Sequence, residues 1–275
     1  MMIIINMTQP EPEFNTMSAA KTLITGASTG IGATYADRLA RRGHDLVLVA
    51  RDLARLEALA DHLRRETGVG VEVLSADLTL DADLARVEAR LRDDSAITTL
   101  VNNAGMHVAG AFADQRPEDV SRLIALNVTA VTRLAQAVAG RFAQAGAGTI
   151  INLASVVGLV PEFGTSVYGA TKAYVLFLSQ SLQVELGPRG VRVQAVLPGA
   201  TETEIWDRSG TDTAHRLPMM TVGDLVDAAL AGLDAGEIVT IPPLPEAGLW
   251  DSHEATRQAM IPGFSNTVPA ARYRA

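Results

Sequence analysis

Tyr168 and Lys172 stand four residues apart, the spacing that puts two side chains on one face of a helix. A phenol with a pKa of about 10 neither gives nor takes a proton readily at neutral pH. An ammonium beside it favours the phenolate, and each unit of lowering represents about 1.4 kcal/mol of differential interaction. Bringing the phenol near pH 7 therefore asks roughly 4 kcal/mol of its surroundings, more than one solvated lysine supplies. A second positive charge, such as an oxidised nicotinamide ring, would close the gap. Ser155 opens a Gly- and Pro-containing turn, Ser155-Val156-Val157-Gly158-Leu159-Val160-Pro161, and can offer a hydroxyl to a substrate oxygen. Together these residues read as a proton-transfer site that works beside a hydride carrier. Tyr-x-x-x-Lys is common by chance, so the rest of the chain must supply the carrier.

A place for that carrier lies near the start of the chain, in Thr25-Gly26-Ala27-Ser28-Thr29-Gly30-Ile31-Gly32. The run follows an expected strand and opens an expected helix, and a helix N-terminus offers unpaired N–H groups to an anion. Gly26 permits a sharp turn, Gly30 lets a pyrophosphate approach the backbone, and Gly32 lets helix pack on strand. The spacing, Gly-x-x-x-Gly-x-Gly, is a variant of Gly-x-Gly-x-x-Gly. The nucleotide is selected at the end of the second expected strand, where a carboxylate suits a ribose 2′-OH and a cation suits a 2′-phosphate. That strand ends at Ala50 with no acid, and Arg51 follows at once. Arg51 can grip phosphate or serve only as a solvated helix-start residue, with Asp52 as the N-cap. We expect NADP(H) in preference to NAD(H).

The elements that must position these groups alternate. Short apolar runs at Lys21–Thr25, Asp45–Ala50, 69–75, 99–101, 149–153, 191–197 and 238–241 predict buried parallel strands. Helical patterns fill the intervals at 30–42, Leu53–Thr67, 80–93, 117–145, Ser166–Leu186 and 222–235, with 246–259 after the last strand. Alternation throughout predicts an α/β doubly wound sheet in one domain over 18–275. Residues 1–17, polar and carrying Pro10 and Pro12, are expected to form a mobile extension, with Met17 a candidate start. Residues 199–220 are expected to form a lid over the site, and 242–275 an irregular but ordered tail.

Composition bounds the class. The 275 residues are 48% hydrophobic and 20% charged, which suits a globular chain with a full core. A net charge of −8 argues against nucleic acid. The absence of cysteine excludes disulfides, thiolate metal ligands and a cysteine nucleophile. The five histidines form no metal-ligand pattern with carboxylates, so no metal is expected. No run approaches the roughly 20 apolar residues of a membrane span, and the opening Met-Met-Ile-Ile-Ile is no signal sequence. A cytoplasmic protein is expected.

With these parts in order, the chain resembles the short-chain dehydrogenase/reductase superfamily over about residues 20–240. Residues 25–32 look like its cofactor glycine motif, which would bring Ser28, Thr29 and Ile31 to the cofactor with the glycines. Asp77-Leu78 matches its adenine-contacting Asp, and Asn102-Asn103-Ala104-Gly105 matches its Asn-Asn-Ala-Gly turn. Asn127 matches its active-site Asn, which completes a tetrad with Ser155, Tyr168 and Lys172, and Pro198-Gly199 matches the turn beside the nicotinamide. The pattern over 51–60 is also similar to the family's NADP-dependent carbonyl reductases. The resemblance implies a Rossmann-type, seven-stranded parallel sheet flanked by helices, with hydride exchanged between nicotinamide and a carbonyl carbon. It implies that Tyr168 is the acid/base, that Lys172 lowers its pKa and bonds the nicotinamide ribose, and that Ser155 orients and polarises the carbonyl. Asn127 would hold a water of the proton relay through its backbone, and Thr201 would bond the nicotinamide carboxamide.

Other readings stand beside these. Asn127 can instead tie down a turn, Thr201 can be a helix N-cap, and Asp77 can cap the helix that follows. His107 either faces the substrate or is an incidental surface residue. The turn after Ser155, Phe163, and Trp206, Leu217, Met219 and Met220 of the expected lid supply an apolar wall, which suits a hydrophobic ketone, aldehyde or secondary alcohol. The helix over 167–186 is apolar on more than one face, which predicts a homodimer or homotetramer. Two rival functions keep the scaffold: an epimerase or dehydratase that retains its nucleotide, and a non-enzymatic NADP(H) sensor that binds a partner protein.

Overall fold

Strands buried on both faces need no polar alternation, and the chain has such runs: β1 (Lys21–Thr25), β2 (Asp45–Ala50), β3 (Val71–Ser75), β4 (Ile97–Asn102), β5 (Gly148–Leu153), β6 (Val191–Val196) and β7 (Val239–Thr240). The computed structural model describes residues 20–204 and 218–274. All neighbouring strands pair parallel in the order β3-β2-β1-β4-β5-β6-β7. The order reverses between β1 and β4, and ligands of such sheets bind at that switch point, outside the carboxyl ends of the strands. The expected Rossmann-type doubly wound sheet is present.

Helices α1 (Gly30–Arg41), α2 (Leu53–Thr67), α3 (Asp81–Asp93), α4 (Pro117–Ile124), α5 (Val131–Ala145), α6 (Ser166–Leu186), α7 (Val222–Asp234) and α8 (Ala247–Ala259) complete the described chain. Successive strand residues point to opposite faces, and each face has its own core. Ile24, Leu46 and Leu48 pack with Tyr35 and Leu39 of α1, Leu56 of α2 and Leu225 of α7. Leu23, Val47 and Val49 pack on the other face with Leu84 of α3 and Leu134 and Val138 of α5.

The departures from expectation have local causes. β3 starts at Val71 rather than 69, because Gly68 ends α2 in a left-handed conformation and the Asp45 carboxylate accepts from Gly70 N at 2.7 Å. β4 lengthens to Ile97–Asn102, held by β1 on one side and β5 on the other. β7 keeps only two residues, and the Pro242-Pro243 that follows offers no N–H for a ladder. The helix expected over 117–145 is interrupted by a π-helical segment, Ala125–Ala130. By length and composition Pro117–Ala145 could cross a membrane, yet Leu134, Val138 and Phe142 are buried on the sheet. The expected extension 1–17 lies outside the described residues, as do Trp206, Leu217 and most of the expected lid.

Candidate active site

The turns after β1 and β4 form one bonded unit at the switch point. The Thr25 hydroxyl oxygen accepts from Asn103 N and Ala104 N, each at 3.0 Å. Asn103 Nδ2 returns two bonds, to Thr25 O at 2.9 Å and Gly26 O at 3.2 Å. This packing explains the glycines physically. Gly26 has φ 66°, and a Cβ there would meet Asn103 Nδ2 at 2.8 Å and Ala104 Cα at 2.9 Å. A Cβ on Gly32 would run into the Gly26 carbonyl oxygen.

Thr29, at the N-cap of α1, makes no side-chain cap bond, and no acid stands in the first turn. The helix therefore offers N–H groups and positive dipole without a carboxylate to compete. Thr203 lies across this loop, 3.4 Å from where a Gly30 Cβ would stand. These residues fit a dinucleotide pyrophosphate.

At the β2 end, Asp52 caps α2 by accepting from Arg55 N at 3.0 Å, so Arg51 has no capping role and is exposed. Asp77 does not cap α3, whose N-cap is Leu80. Its Oδ1 accepts from Thr79 N at 3.0 Å and Thr79 Oγ1 at 2.7 Å, closing a tight turn beside buried Leu78. Burial pushes the Asp77 carboxyl up. The Thr79 bonds and the charges of Arg51 and Arg122 outweigh that and hold it below the usual carboxylate range. Arg51 and Asp77 thus bear on one region, at the carboxyl ends of β2 and β3.

Asn127 sits in the π segment, almost fully buried. Its Oδ1 accepts from Met106 N at 2.9 Å, and its Nδ2 donates to Met106 O at 2.9 Å and Thr171 Oγ1 at 3.2 Å. The side chain therefore ties down a turn, as one of the two readings had it. Ser155 Oγ donates to Pro198 O at 3.2 Å, and Val156 N donates to the same oxygen at 3.0 Å, which brings Pro198-Gly199 against the serine. Thr201 is buried and caps none of the described helices; its hydroxyl donates to Gly199 O at 3.1 Å.

Tyr168 lies in the first turn of α6 and Lys172 in the second, with Lys172 Nζ 5.7 Å from the phenol ring centroid. The ammonium donates to Leu153 O at 2.7 Å. Within the protein alone, burial dominates both groups. It pushes the Tyr168 phenol up to about 12 and the Lys172 ammonium down to about 8. The lowering of Tyr168 expected from its lysine is therefore not reached by the chain's own charges, because desolvation penalises both charged forms.

His107, one of whose two readings was an incidental surface position, stands edge-on to Tyr168 with ring centroids 4.9 Å apart. Beside this pair opens a cavity of about 270 Å³. A larger depression of about 670 Å³ lies beside Lys21, Arg86, Arg90 and Asp94. It contains none of the site residues, and Asp94 is engaged there by Lys21 and Arg90. The smaller cavity is the one lined by Tyr168. Three features here carried no sequence signal: the Thr25 hydroxyl, the Thr203 contact, and an ion pair in which Arg55 Nη1 meets both carboxylate oxygens of Glu204, at 3.0 and 2.9 Å.

Known proteins place this arrangement. A solved short-chain dehydrogenase from Sphingobium yanoikuyae, in complex with NADPH, is 60% identical with TM-score 0.91, covering 92% of this chain and 99% of its own. The bulky-bulky ketone specific alcohol dehydrogenase from Comamonas testosteroni is 53% identical with TM-score 0.88, covering 94% and 100%. A 2,5-dichloro-2,5-cyclohexadiene-1,4-diol dehydrogenase of Sphingobium indicum is 31% identical over 248 residues, 86% of this chain and 98% of that protein. The short chain dehydrogenase family model matches residues 20–214. The chain belongs to the short-chain dehydrogenase/reductase superfamily.

Proposed function

We propose that the protein is an NADP(H)-dependent oxidoreductase that interconverts a hydrophobic ketone or aldehyde and its alcohol, with Tyr168 as the acid/base. The observation that carries this reading is the pair of half-buried Tyr168 and buried Lys172 on α6, with the phenol lining a cavity and the ammonium bonded to the Leu153 carbonyl. The NADPH bound by the Sphingobium yanoikuyae relative supports the cofactor class, and exposed Arg51 supports the preference for a 2′-phosphate.

Residues of the glycine loop, Gly26, Ser28, Thr29, Gly30, Ile31 and Gly32, would hold the pyrophosphate, with Arg51, Asp77 and Leu78 at the adenosine end. Asn103, Ala104, Gly105, Pro198, Gly199 and Thr201 would border the nicotinamide. When bound, the cofactor supplies the hydride and, in its oxidised form, a positive charge. The chain's own residues handle the proton. Tyr168, protonated well past neutrality by its burial, donates to the carbonyl oxygen in reduction and takes the proton back in oxidation. Ser155 turns its hydroxyl from Pro198 O to that oxygen and stabilises the charge developing there. Lys172, tethered to Leu153 O, keeps an ammonium near the phenol and favours its ionised form during oxidation. Asn127 fixes the turn at Met106 through its side chain, and its backbone would hold a relay water.

On the outer face of α6, Phe177 is 72% and Val184 77% exposed, with Tyr174 nearby. Apolar groups on one helix face support a homodimer or homotetramer that buries it. Light scattering of the protein and a Phe177→Asp variant tests this, with dissociation of the variant expected. The functional reading is tested by NADPH consumption with hydrophobic ketones, repeated with NADH.

A further inference from the structure

Two side-chain amides grip the chain on either side of His107. Asn127 bonds both the N–H and the C=O of Met106, each at 2.9 Å. Gln115 donates through Nε2 to Val108 O at 3.3 Å and Gly110 O at 3.2 Å. A loop held one residue before and one residue after His107 leaves that residue little backbone freedom. Its ring then meets Tyr168 at an interplanar angle of 78°, the edge-to-face arrangement that aromatic pairs favour.

The cavity beside the pair is lined by His107 and Tyr168, by Val108, Ala109 and Ala111, and by Gly164 among others. Gln115 and Thr165 add an amide and a hydroxyl to the wall, so the apolar surface of the cavity comes mainly from the two rings and the short chains of Val108, Ala109 and Ala111. Gly110 and Gly164 are exposed and a Cβ on either would meet nothing within 4 Å, so the cavity opens to solvent on that side. At about 270 Å³, the volume falls just below the roughly 300–1,000 Å³ of pockets for drug-sized ligands, large enough for an aryl group. Burial lowers the His107 pKa, which keeps the imidazole uncharged near neutrality and suited to an apolar neighbour.

We propose that His107 is the specificity-determining residue of this site: the larger substituent of the substrate ketone enters the cavity and packs on the His107 ring, so that aryl ketones are selected over small alkyl ones. The proposal rests on Tyr168 being the group that faces the carbonyl oxygen. A ring held against Tyr168 and exposed to the cavity couples the fit of the substituent to the placement of the phenol.

The test compares propiophenone with butanone in wild type, His107→Ala and His107→Phe, by kcat/KM and by calorimetric binding of propiophenone to protein saturated with NADP+. His107→Ala is expected to lose about tenfold or more with propiophenone, in both readouts, and less than about threefold with butanone. His107→Phe retains the aromatic wall and stays within about threefold of wild type, and NADPH affinity stays within about twofold in both variants. Equal losses on the two ketones, or propiophenone binding that ignores the alanine substitution, would overturn the proposal, as would a wild type that binds no propiophenone. Binding that depends on His107 without turnover of either ketone would support the subsite and count against the oxidoreductase reading. Turnover indifferent to His107 would do the reverse.

Discussion

Lys172 holds its ammonium 5.7 Å from the centroid of the Tyr168 ring while bonding the Leu153 carbonyl at the end of β5. The lysine is thus fixed by the sheet rather than by the phenol. Burial sets both groups toward their neutral forms, the phenol up to about 12 and the ammonium down to about 8. A phenol raised this far keeps its proton through neutrality but is a weaker acid than a free one, so added positive charge would help it both to donate in reduction and to ionise for oxidation.

Tyr168→Phe removes the proton and little else. Turnover is expected to fall at least about 100-fold, with NADPH affinity, measured by fluorescence titration, nearly unchanged. Near-normal turnover would take the acid/base role from Tyr168.

The Lys172 titration makes a stability prediction with a definite sign. The group titrates at about 8 in the folded protein against 10.5 in the unfolded chain. Between these values the unfolded chain holds a proton that the folded protein has shed, so stability rises with pH across that window. The full effect is roughly 3 kcal/mol. Above pH 10 the trend reverses at Tyr168, which titrates at about 12 when folded against 10.0 unfolded, because the unfolded phenol then ionises first. Urea denaturation from about pH 8 to about pH 10 should show a rise in wild type that is absent in Lys172→Met. Parallel curves for the two proteins would contradict the burial of a titrating lysine.

Arg51→Ala tests the adenosine end. With Asp52 occupied as the cap of α2, the exposed guanidinium is available to a 2′-phosphate. The substitution should weaken NADPH about tenfold or more and leave NADH within about twofold. Equal losses for both cofactors would remove that assignment.

Gly32→Ala probes the joined turns. Its Cβ would run into the Gly26 carbonyl, itself bonded by Asn103 Nδ2 at 3.2 Å. Overpacking of this kind costs about 1–3 kcal/mol, and the displaced loop should lose NADPH binding. Thermal unfolding together with cofactor titration checks both effects.

Much of this architecture was legible because its elements carry their own patterns. β1, β2 and β5 read as continuous apolar runs since both of their faces are covered, and the bounds of α2 follow from Asp52 at one end and Gly68 at the other. The glycine loop was legible because each glycine answers a steric demand. Other features depend on contacts distant in sequence. The π segment at Ala125–Ala130 has no period that sets it apart from a helix. The backbone on either side of His107 is held by ties to Asn127 and Gln115. The upward shift of Tyr168 arises from burial, which the spacing of tyrosine and lysine does not reveal.

The central claim is that this chain passes hydride between a nicotinamide and a carbonyl carbon under the control of Tyr168. The most direct measurement is the loss of NADPH absorbance with a panel of hydrophobic ketones, run in parallel with NADH and with Tyr168→Phe. The account predicts oxidation that requires particular ketones, runs faster with NADPH, and disappears in the variant. Tight NADPH binding with no consumption across the panel would contradict it and point to an epimerase or dehydratase that retains its nucleotide, or to a nucleotide sensor.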